Sequence, residues 1–503
     1  MKNMYEESRL ETDNIKCNPI TEEEVFQHIK SLKIKTKSPG IDCVLIEHLK
    51  YGGKYLIRHL IALFNFMILF EYLPNVYRCG MIIPIYKQNG KDKKDPVNYC
   101  GIALTSCLGK LFEKILMTRI QKYLDKINFP HPYQFVFRKE ASAISAALTL
   151  QECLINYTNH NYNVYAVFLY NEKAFDRLWH CGLLEKLKKL GINAKIWRII
   201  AHSYTQSSAC VACRGCISNT FPLRKGVGQG RVMSAFLFLV YINDLLNELV
   251  MTNCGITMNQ MNIPGMLLAD DTTLLSSTLN GLQILVNTAY QYAQKWKLKY
   301  NPTKSNWMIF SRKNEVYSSN GITLGLHDIP RAKKVKYAGV TFSQSMKISD
   351  RIDYSCDKAK RVINSLYSIG LNANGFNPVV CVKVWERVIL PSALYGSELW
   401  FNMSYQGIES LEKIQRYFAR RVQGFPQRSP IGSTTSCLGM ISMEARIDKQ
   451  KLLFLGRMCR TSANLTAKKF FLWTVGNLIF DPQHSHNSFI YDISTVLKKY
   501  DLE

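Results

Sequence analysis

The sequence predicts an α+β protein that passes into a helical region toward its C-terminus. Two patterns carry this. Between about residues 20 and 345, short runs of branched and aromatic residues with strand character alternate with segments of helical spacing. From about residue 346, helical spacing continues and strand signals become few. The bulk composition agrees: 503 residues, 47% hydrophobic and 20% charged, can bury large cores. At about 150 residues per domain, two to four folded units are expected.

Taken in order, Thr21 caps a first helix. Glu24 completes its capping box, and Val25, Ile29 and Leu32 form its apolar stripe. Lys33, Lys35 and Lys37 then lead to the turn Ser38-Pro39-Gly40. Residues 81–86 read as a strand, 88–96 as a polar, lysine-rich loop, and 104–123 as a helix through Leu108, Leu111, Ile115 and Ile120. Residues 162–170 read as a buried strand, rich in branched and aromatic side chains, and 183–190 as a basic helix. Cys210, Cys213 and Cys216 have a spacing that suggests a metal site. No fourth ligand follows, however, and Val211, Ile217 and Phe221 favour a sheet hairpin. Residues 236–249 form an apolar helix. Residues 265–277 read as strand, tight turn, strand, with Ala269-Asp270-Asp271 at the turn. Leu282, Val286, Ala289, Ala293 and Trp296 mark an amphipathic helix, and 334–342 a strand. In the helical region Arg416, Arg420 and Arg421 fall within two turns, beside Tyr417 and Phe418. The expected organisation is a lead at 1–19, a catalytic unit at 20–345, a helical domain at 346–470 and a tail at 471–503.

The charge balance points to the partner. With 64 Lys and Arg against 38 Asp and Glu, the net charge is +26. Such an excess suits a polyanion, because phosphates release condensed counterions to Lys and Arg. Residues 1–20 are polar, with Glu6, Glu7, Glu11 and Asp13, and show no secretory signal. The 15 cysteines are odd in number. Reduced thiols in an intracellular compartment, nucleus or cytoplasm, are expected. The apolar run 60–70 is interrupted by Asn65 and falls short of the roughly 20 residues a spanning helix needs. No membrane is expected.

The chemistry concentrates at Asp270 and Asp271, which interrupt an apolar segment. Adjacent carboxylates near a core are costly unless cations neutralise them. Hard oxygen donors suit Mg²⁺, and two such ions roughly 3.5–4 Å apart can clamp a phosphoryl transfer. Around the pair the chain reads, in order, Lys37-Ser38-Pro39-Gly40-Ile41-Asp42, then Ile83-Pro84-Ile85-Tyr86-Lys87 and Asn98-Tyr99-Cys100-Gly101-Ile102-Ala103-Leu104. His131-Pro132-Tyr133-Gln134-Phe135-Val136-Phe137-Arg138 follows, then Ala174-Phe175-Asp176 and Gly226-Val227-Gly228-Gln229-Gly230. Last come Leu268-Ala269-Asp270-Asp271, Asn301-Pro302-Thr303-Lys304-Ser305 and Lys336-Tyr337-Ala338-Gly339-Val340.

This series resembles the reverse transcriptases of non-LTR (LINE-type) retrotransposons, the jockey-like ones in particular. The likeness runs from about residue 20 to 342 and more weakly through Tyr395-Gly396-Ser397-Glu398-Leu399-Trp400. It implies a right-hand polymerase, with fingers and palm in 20–345 and a thumb in 346–470. Its partners would be an RNA template, a DNA primer or target, and dNTPs. By the same resemblance Asp270 and Asp271 hold two Mg²⁺ ions. Phe175 lies under the incoming sugar and excludes a 2′-hydroxyl. Gln229 and Gly230 approach nucleotide and template. Lys87 and Lys304 meet the triphosphate and the leaving pyrophosphate. Arg138, Lys37, Arg416, Arg420 and Arg421 contact nucleic acid. Without the resemblance, Phe175 reads as a core aromatic, Gly230 as part of an ordinary turn, and the lysines as solvated.

The pattern breaks at Tyr170, where the family has a metal-binding aspartate five residues before Phe175. A phenol with pKa about 10 is neutral at pH 7. Glu172 lies about 6.6 Å further along an extended strand, too far to substitute. Cys100 stands where the family has a triphosphate-binding arginine. Val136 replaces a glycine, Gly228 and Ala235 replace prolines, and Ala338 replaces a leucine. The expectation is an RNA-directed DNA polymerase by descent, impaired or inactive in this copy. The alternative is a non-catalytic RNA- or DNA-binding remnant; a maturase-like splicing relative is a more distant third.

Overall fold

A computed structural model of the chain describes every residue except 1, 9–13, 16, 34–37, 88–91, 193, 229, 313–320, 482–485 and 503. The chain forms two compact units that interleave along the sequence. The first comprises Met1–His131, Asn171–Glu248 and Ala289–Tyr300; the second comprises Pro132–Tyr170, Leu249–Thr288 and Asn301–Glu503.

In the first unit the N-terminal helix is Glu22–Lys30, and the Thr21 hydroxyl accepts from the Glu24 backbone N–H as the capping box requires. Its Val25 and Ile29 pack into one core with Leu60 and Phe64 of the helix Gly53–Leu69 and with Leu111 and Ile115 of the helix Cys107–Lys126. That last helix starts three residues later than its spacing predicts. Residues Tyr99–Leu104 instead pair antiparallel with the strand Cys79–Tyr86, and Ser106 caps the helix that follows. A ladder partner outcompetes a marginal first turn, because the alternate backbone groups of 99–104 that face Cys79–Tyr86 then find bonds. The other edge of Cys79–Tyr86 takes Ser208–Cys213 in parallel, and this strand turns back into Cys216–Ile217. The cysteine run is therefore the hairpin its apolar neighbours suggest.

The apolar run expected as one helix over 236–249 is two, Ser234–Asn243 and Leu245–Met251. Among the described residues this stretch, rather than 60–70, is long and apolar enough to span a membrane. Leu237, Phe238, Tyr241 and Ile242 are nevertheless no more than 1% exposed, as in a core helix of a folded unit.

The second unit is built on a four-stranded antiparallel sheet in the order Asn306–Phe310, Val164–Leu169, Asp271–Ser276, Gly265–Leu268. These are the strand and hairpin the sequence predicts around 162–170 and 265–277. The helix Ala143–Asn159, which sequence periodicity does not reveal, is buried on nearly all sides. Its buried positions include Ser145, Thr149, Gln151 and Glu152 as well as apolar residues, so no clean apolar stripe marks it. The single strand expected over 334–342 is a hairpin, Lys334–Tyr337 against Val340–Ser343. The chain reverses at Ala338 and Gly339, with φ of +52° and +81°. Positive φ at both central positions is what a two-residue hairpin turn demands. From Ile348 onward the described elements are helices. Ile352 and Ile363 of Ile348–Tyr367, Phe418 of Tyr405–Gln423 and Ile447 of Met443–Arg460 share one core with Trp385, whose ring stacks on Phe418 at 4.7 Å. The architecture is α+β followed by helices, as expected.

Candidate active site

In the second unit the acid pair sits at the tip of the hairpin between Gly265–Leu268 and Asp271–Ser276. Asp271 lies opposite Leu268, and Ala269 adopts φ +57° to close the tight turn. Thr272 and Thr273 behind the acids are buried. Burial raises the Asp270 carboxyl above the usual carboxylate range. The Asp271 carboxyl is pushed up to about 6, first by burial and then by the adjacent Asp270. Its side chain nevertheless keeps a solvent-facing edge. Two acids held this close invite a cation, whose charge would reverse both shifts. The buried Tyr337 phenol lies near enough that the Asp271 charge adds to burial in raising it.

Tyr170 follows the central strand. Leu169 faces Thr272, so one step along the antiparallel register brings Tyr170 beside Asp271. On its other side Phe168 faces Asn306, and two steps along bring Tyr170 level with Lys304. The Tyr170 N–H donates to Ser305 Oγ at 3.1 Å, and its C=O accepts from the Asn301 N–H at 2.9 Å. Asn301 Oδ1 accepts from the Lys304 N–H at 3.1 Å, folding 301–304 into a turn. That turn sets Lys304 Nζ 5.0 Å from the centre of the Tyr170 ring. The ring is 39% exposed. An ammonium over a phenol thus occupies the register position next to the acids. Among the described residues, no three His, Cys, Asp or Glu side chains gather as a ligand set. Glu172, in the first unit, pairs with Lys299 at 3.4 Å and donates its N–H to the Lys299 carbonyl at 2.8 Å.

The remaining candidates of this unit differ in availability. Arg138 is partly buried, which lowers its pKa, beside Gln134 and Glu140. Arg416, expected to face nucleic acid, is instead 8% exposed and ion-paired with Glu409 one face along its helix. The helix turns that side toward the core, so spacing alone misjudged it. Arg420 donates to the Ser429 carbonyl at 3.0 Å. Arg421 lies 4.0 Å from the Tyr367 ring centre and donates to Asn364 Oδ1 at 2.6 Å, an arginine–aromatic cluster with a partly exposed edge.

In the first unit the Phe175 ring stacks on Phe238 at 4.8 Å, and its carbonyl accepts from the Val227 N–H at 2.8 Å. That bond ties Phe175 to the Gly226–Gly230 loop. Gly230 adopts φ +113°, and a Cβ there would lie 2.7 Å from the Ala103 carbonyl oxygen, so only glycine fits. Glu113, which sequence reading passed over as one charge on an amphipathic helix, accepts from the Val232 N–H at 2.9 Å and anchors the loop's far end. Nothing in the local pattern signals that role. Lys87 is exposed and donates to the Val97 carbonyl at 3.2 Å. Cys100 is exposed and pairs across the ladder with Ile85. Gln229 and Lys37 lie outside the described residues.

Residues 91–342 match the family model described as reverse transcriptase (RNA-dependent DNA polymerase). The chain is 26% identical over 463 residues to a probable RNA-directed DNA polymerase from transposon BS of Drosophila melanogaster, covering 89% of this chain and 49% of that protein. It is 24% identical over 426 residues to the RNA-directed DNA polymerase from mobile element jockey of the same species, covering 82% and 45%. A probable RNA-directed DNA polymerase from transposon X-element is 22% identical over 388 residues, covering 77% and 42%. The chain spans about half the length of these relatives. An apo telomerase structure from Candida tropicalis superposes with a TM-score of 0.37 at 14% identity over 55% of each chain, too slight a likeness to carry an argument.

Proposed function

Because the chain belongs to the reverse transcriptase (RNA-dependent DNA polymerase) family, in its non-LTR retrotransposon branch, we propose that it is built to extend a DNA primer on an RNA template and is impaired in that chemistry. The observation that carries the impairment is the position of Tyr170, one register step from Asp271 with Lys304 over its ring. A tyrosine there offers one oxygen and no carboxylate where the reaction calls for a third acid.

The donor set fits a hard divalent cation only in part. Asp270 and Asp271 are oxygen donors of the kind Mg²⁺ takes together with substrate phosphates, and this suits one ion better than the two the family uses. Such an ion, when bound, stabilises charge on the phosphoryl oxygens. The protein's own groups do the rest. Asp270 and Asp271 set the negative field that draws a cation to the hairpin tip. Phe175, braced by Phe238, presents the ring that rejects a 2′-hydroxyl. Gly230 lets backbone approach the nucleotide. Lys87 attracts the triphosphate, and Cys100 leaves that attraction short of the usual guanidinium. Lys304, drawn over Tyr170, is held back from the leaving group. Arg138 and Arg421 follow the nucleic-acid backbone.

Primer extension on a poly(A)-type RNA template tests this, comparing wild type, Tyr170→Asp and the Tyr170→Asp/Cys100→Arg double variant. Wild type should run near background and the single reversion only slightly above it. The double variant should exceed wild type by on the order of 10²-fold, the usual worth of a preorganised stabilising group. Wild type extending as fast as the double variant would end the impairment reading. The net charge of +26 favours one second reading, a non-catalytic nucleic-acid binder. Salt-dependent binding with no extension by any variant would establish it instead.

A further inference from the structure

We propose that Cys213 and Cys216 form a reactive dithiol that closes to a disulfide by exchange with a small-molecule disulfide of the glutathione class. The inference rests on the first unit's fold and is independent of the polymerase reading.

The two residues face each other across a hairpin, Cys213 opposite Cys216 and Ala212 opposite Ile217. Between them Arg214 and Gly215 have φ of +50° and +82°, the paired positive values of a two-residue hairpin turn. Two steps along, Ser218 N–H donates to the Val211 carbonyl at 2.9 Å. Hydrogen-bonded pairs recur every second position, so 213 and 216 form one as well. Such pairs place Cα atoms about 5.5 Å apart, inside the range a disulfide bridges. Directly opposite residues project from the same face. Both thiols are free and exposed.

Cys210 is excluded by the same geometry. It lies three positions from Cys213, so the strand's alternation turns it to the opposite face, and it is buried. The run is thus one exposed pair plus one buried thiol rather than a three-thiolate metal site.

The exchange balances. One thiolate attacks glutathione disulfide, breaking its S–S bond and releasing one glutathione as thiol with the proton. The second cysteine then attacks the mixed disulfide, forms the Cys213–Cys216 bond and releases the second glutathione. Two protein thiols are oxidised and one disulfide is reduced to two thiols. The second step is intramolecular between facing groups, so it outruns attack by other thiols. Closure stiffens the end of Ser208–Cys213, which pairs with Cys79–Tyr86, the strand that also carries Cys100 on its far neighbour.

The sequence supplies a direct readout, because trypsin cuts after Arg214, between the two cysteines. The full chain is equilibrated in glutathione buffers of graded ratio, alkylated without reduction and digested. Reduced protein yields peptides 199–214 and 215–224 separately. The proposal expects these peptides joined, two hydrogens lighter than their sum, as the dominant oxidised product. Cys213→Ser should abolish the joined species and Cys210→Ser should leave it intact. Persistent glutathione adducts on 213 or 216 without joined peptides would overturn it. So would loss of the joined species in Cys210→Ser, or a dominant Cys79–Cys210 bond.

Discussion

Tyr170 is fixed in its register by backbone hydrogen bonds. These bonds, to Ser305 and Asn301, are those any residue could make, so a side-chain change at 170 should leave the frame intact and act through charge. Tyr170→Phe should therefore leave Mn²⁺ affinity, read by paramagnetic resonance, within a factor of two of wild type. Tyr170→Asp should tighten it by about tenfold or more, since a carboxylate beside the pair adds a full charge. Equal affinities in all three would remove Tyr170 from the site. Part of the gain will be lost to Lys304, which an aspartate at 170 would draw into an ion pair. Glu152 offers a separate test. It is fully buried, its carboxylate accepts from the Phe489 N–H at 2.9 Å, and burial pushes it up to about 7. An acid whose pKa is raised on folding stabilises the native state below its unfolded pKa near 4.5. That contribution is lost as pH rises through 7. The span corresponds to on the order of 3 kcal/mol. Glu152→Gln should thus be the more heat-stable protein at pH 8, with the difference vanishing near pH 5. A thermal midpoint difference that is flat with pH would refute the assignment.

Elements were legible where one face differs from the other. The Thr21 capping box, the amphipathic helix Leu279–Lys295 and the apolar strands around the acids all show in their spacing. Ala143–Asn159 did not, because burial on all sides erases the stripe. The hairpin at 334–343 was misjudged as a strand because Ala338 is an unremarkable turn residue. Gly339 carries the signal. A Cβ at 339 would meet the Tyr395 ring at 2.6 Å, in addition to the left-handed backbone that glycine tolerates. Gly339→Ala should cost about 1–3 kcal/mol. It should also speed amide exchange across Lys334–Ser343 while leaving Asp271–Ser276 protected. Unchanged exchange at 334–343 would show that the turn relaxes freely.

For the chain taken together, the charge surplus makes the clearest forecast. With +26 to place on 503 residues, binding to RNA or DNA should weaken steeply with salt. A log–log slope steeper than about −4, corresponding to four or more neutralised phosphates, is expected. Asp271→Asn should not alter that slope in the absence of divalent ions. A slope near zero would mean that the basic residues serve the surface rather than a polyanion.

Composition, motif order and acid spacing carried the α+β architecture and the family on their own, since each depends on residue identity along the chain. Availability could be settled only in three dimensions. The register that sets Tyr170 between Asp271 and Lys304, the inward turn of Arg416, and the pairing of Cys213 with Cys216 while Cys210 is buried all depend on which residues strand pairing and core packing bring together. Those are long-range contacts, and local periodicity holds no record of them.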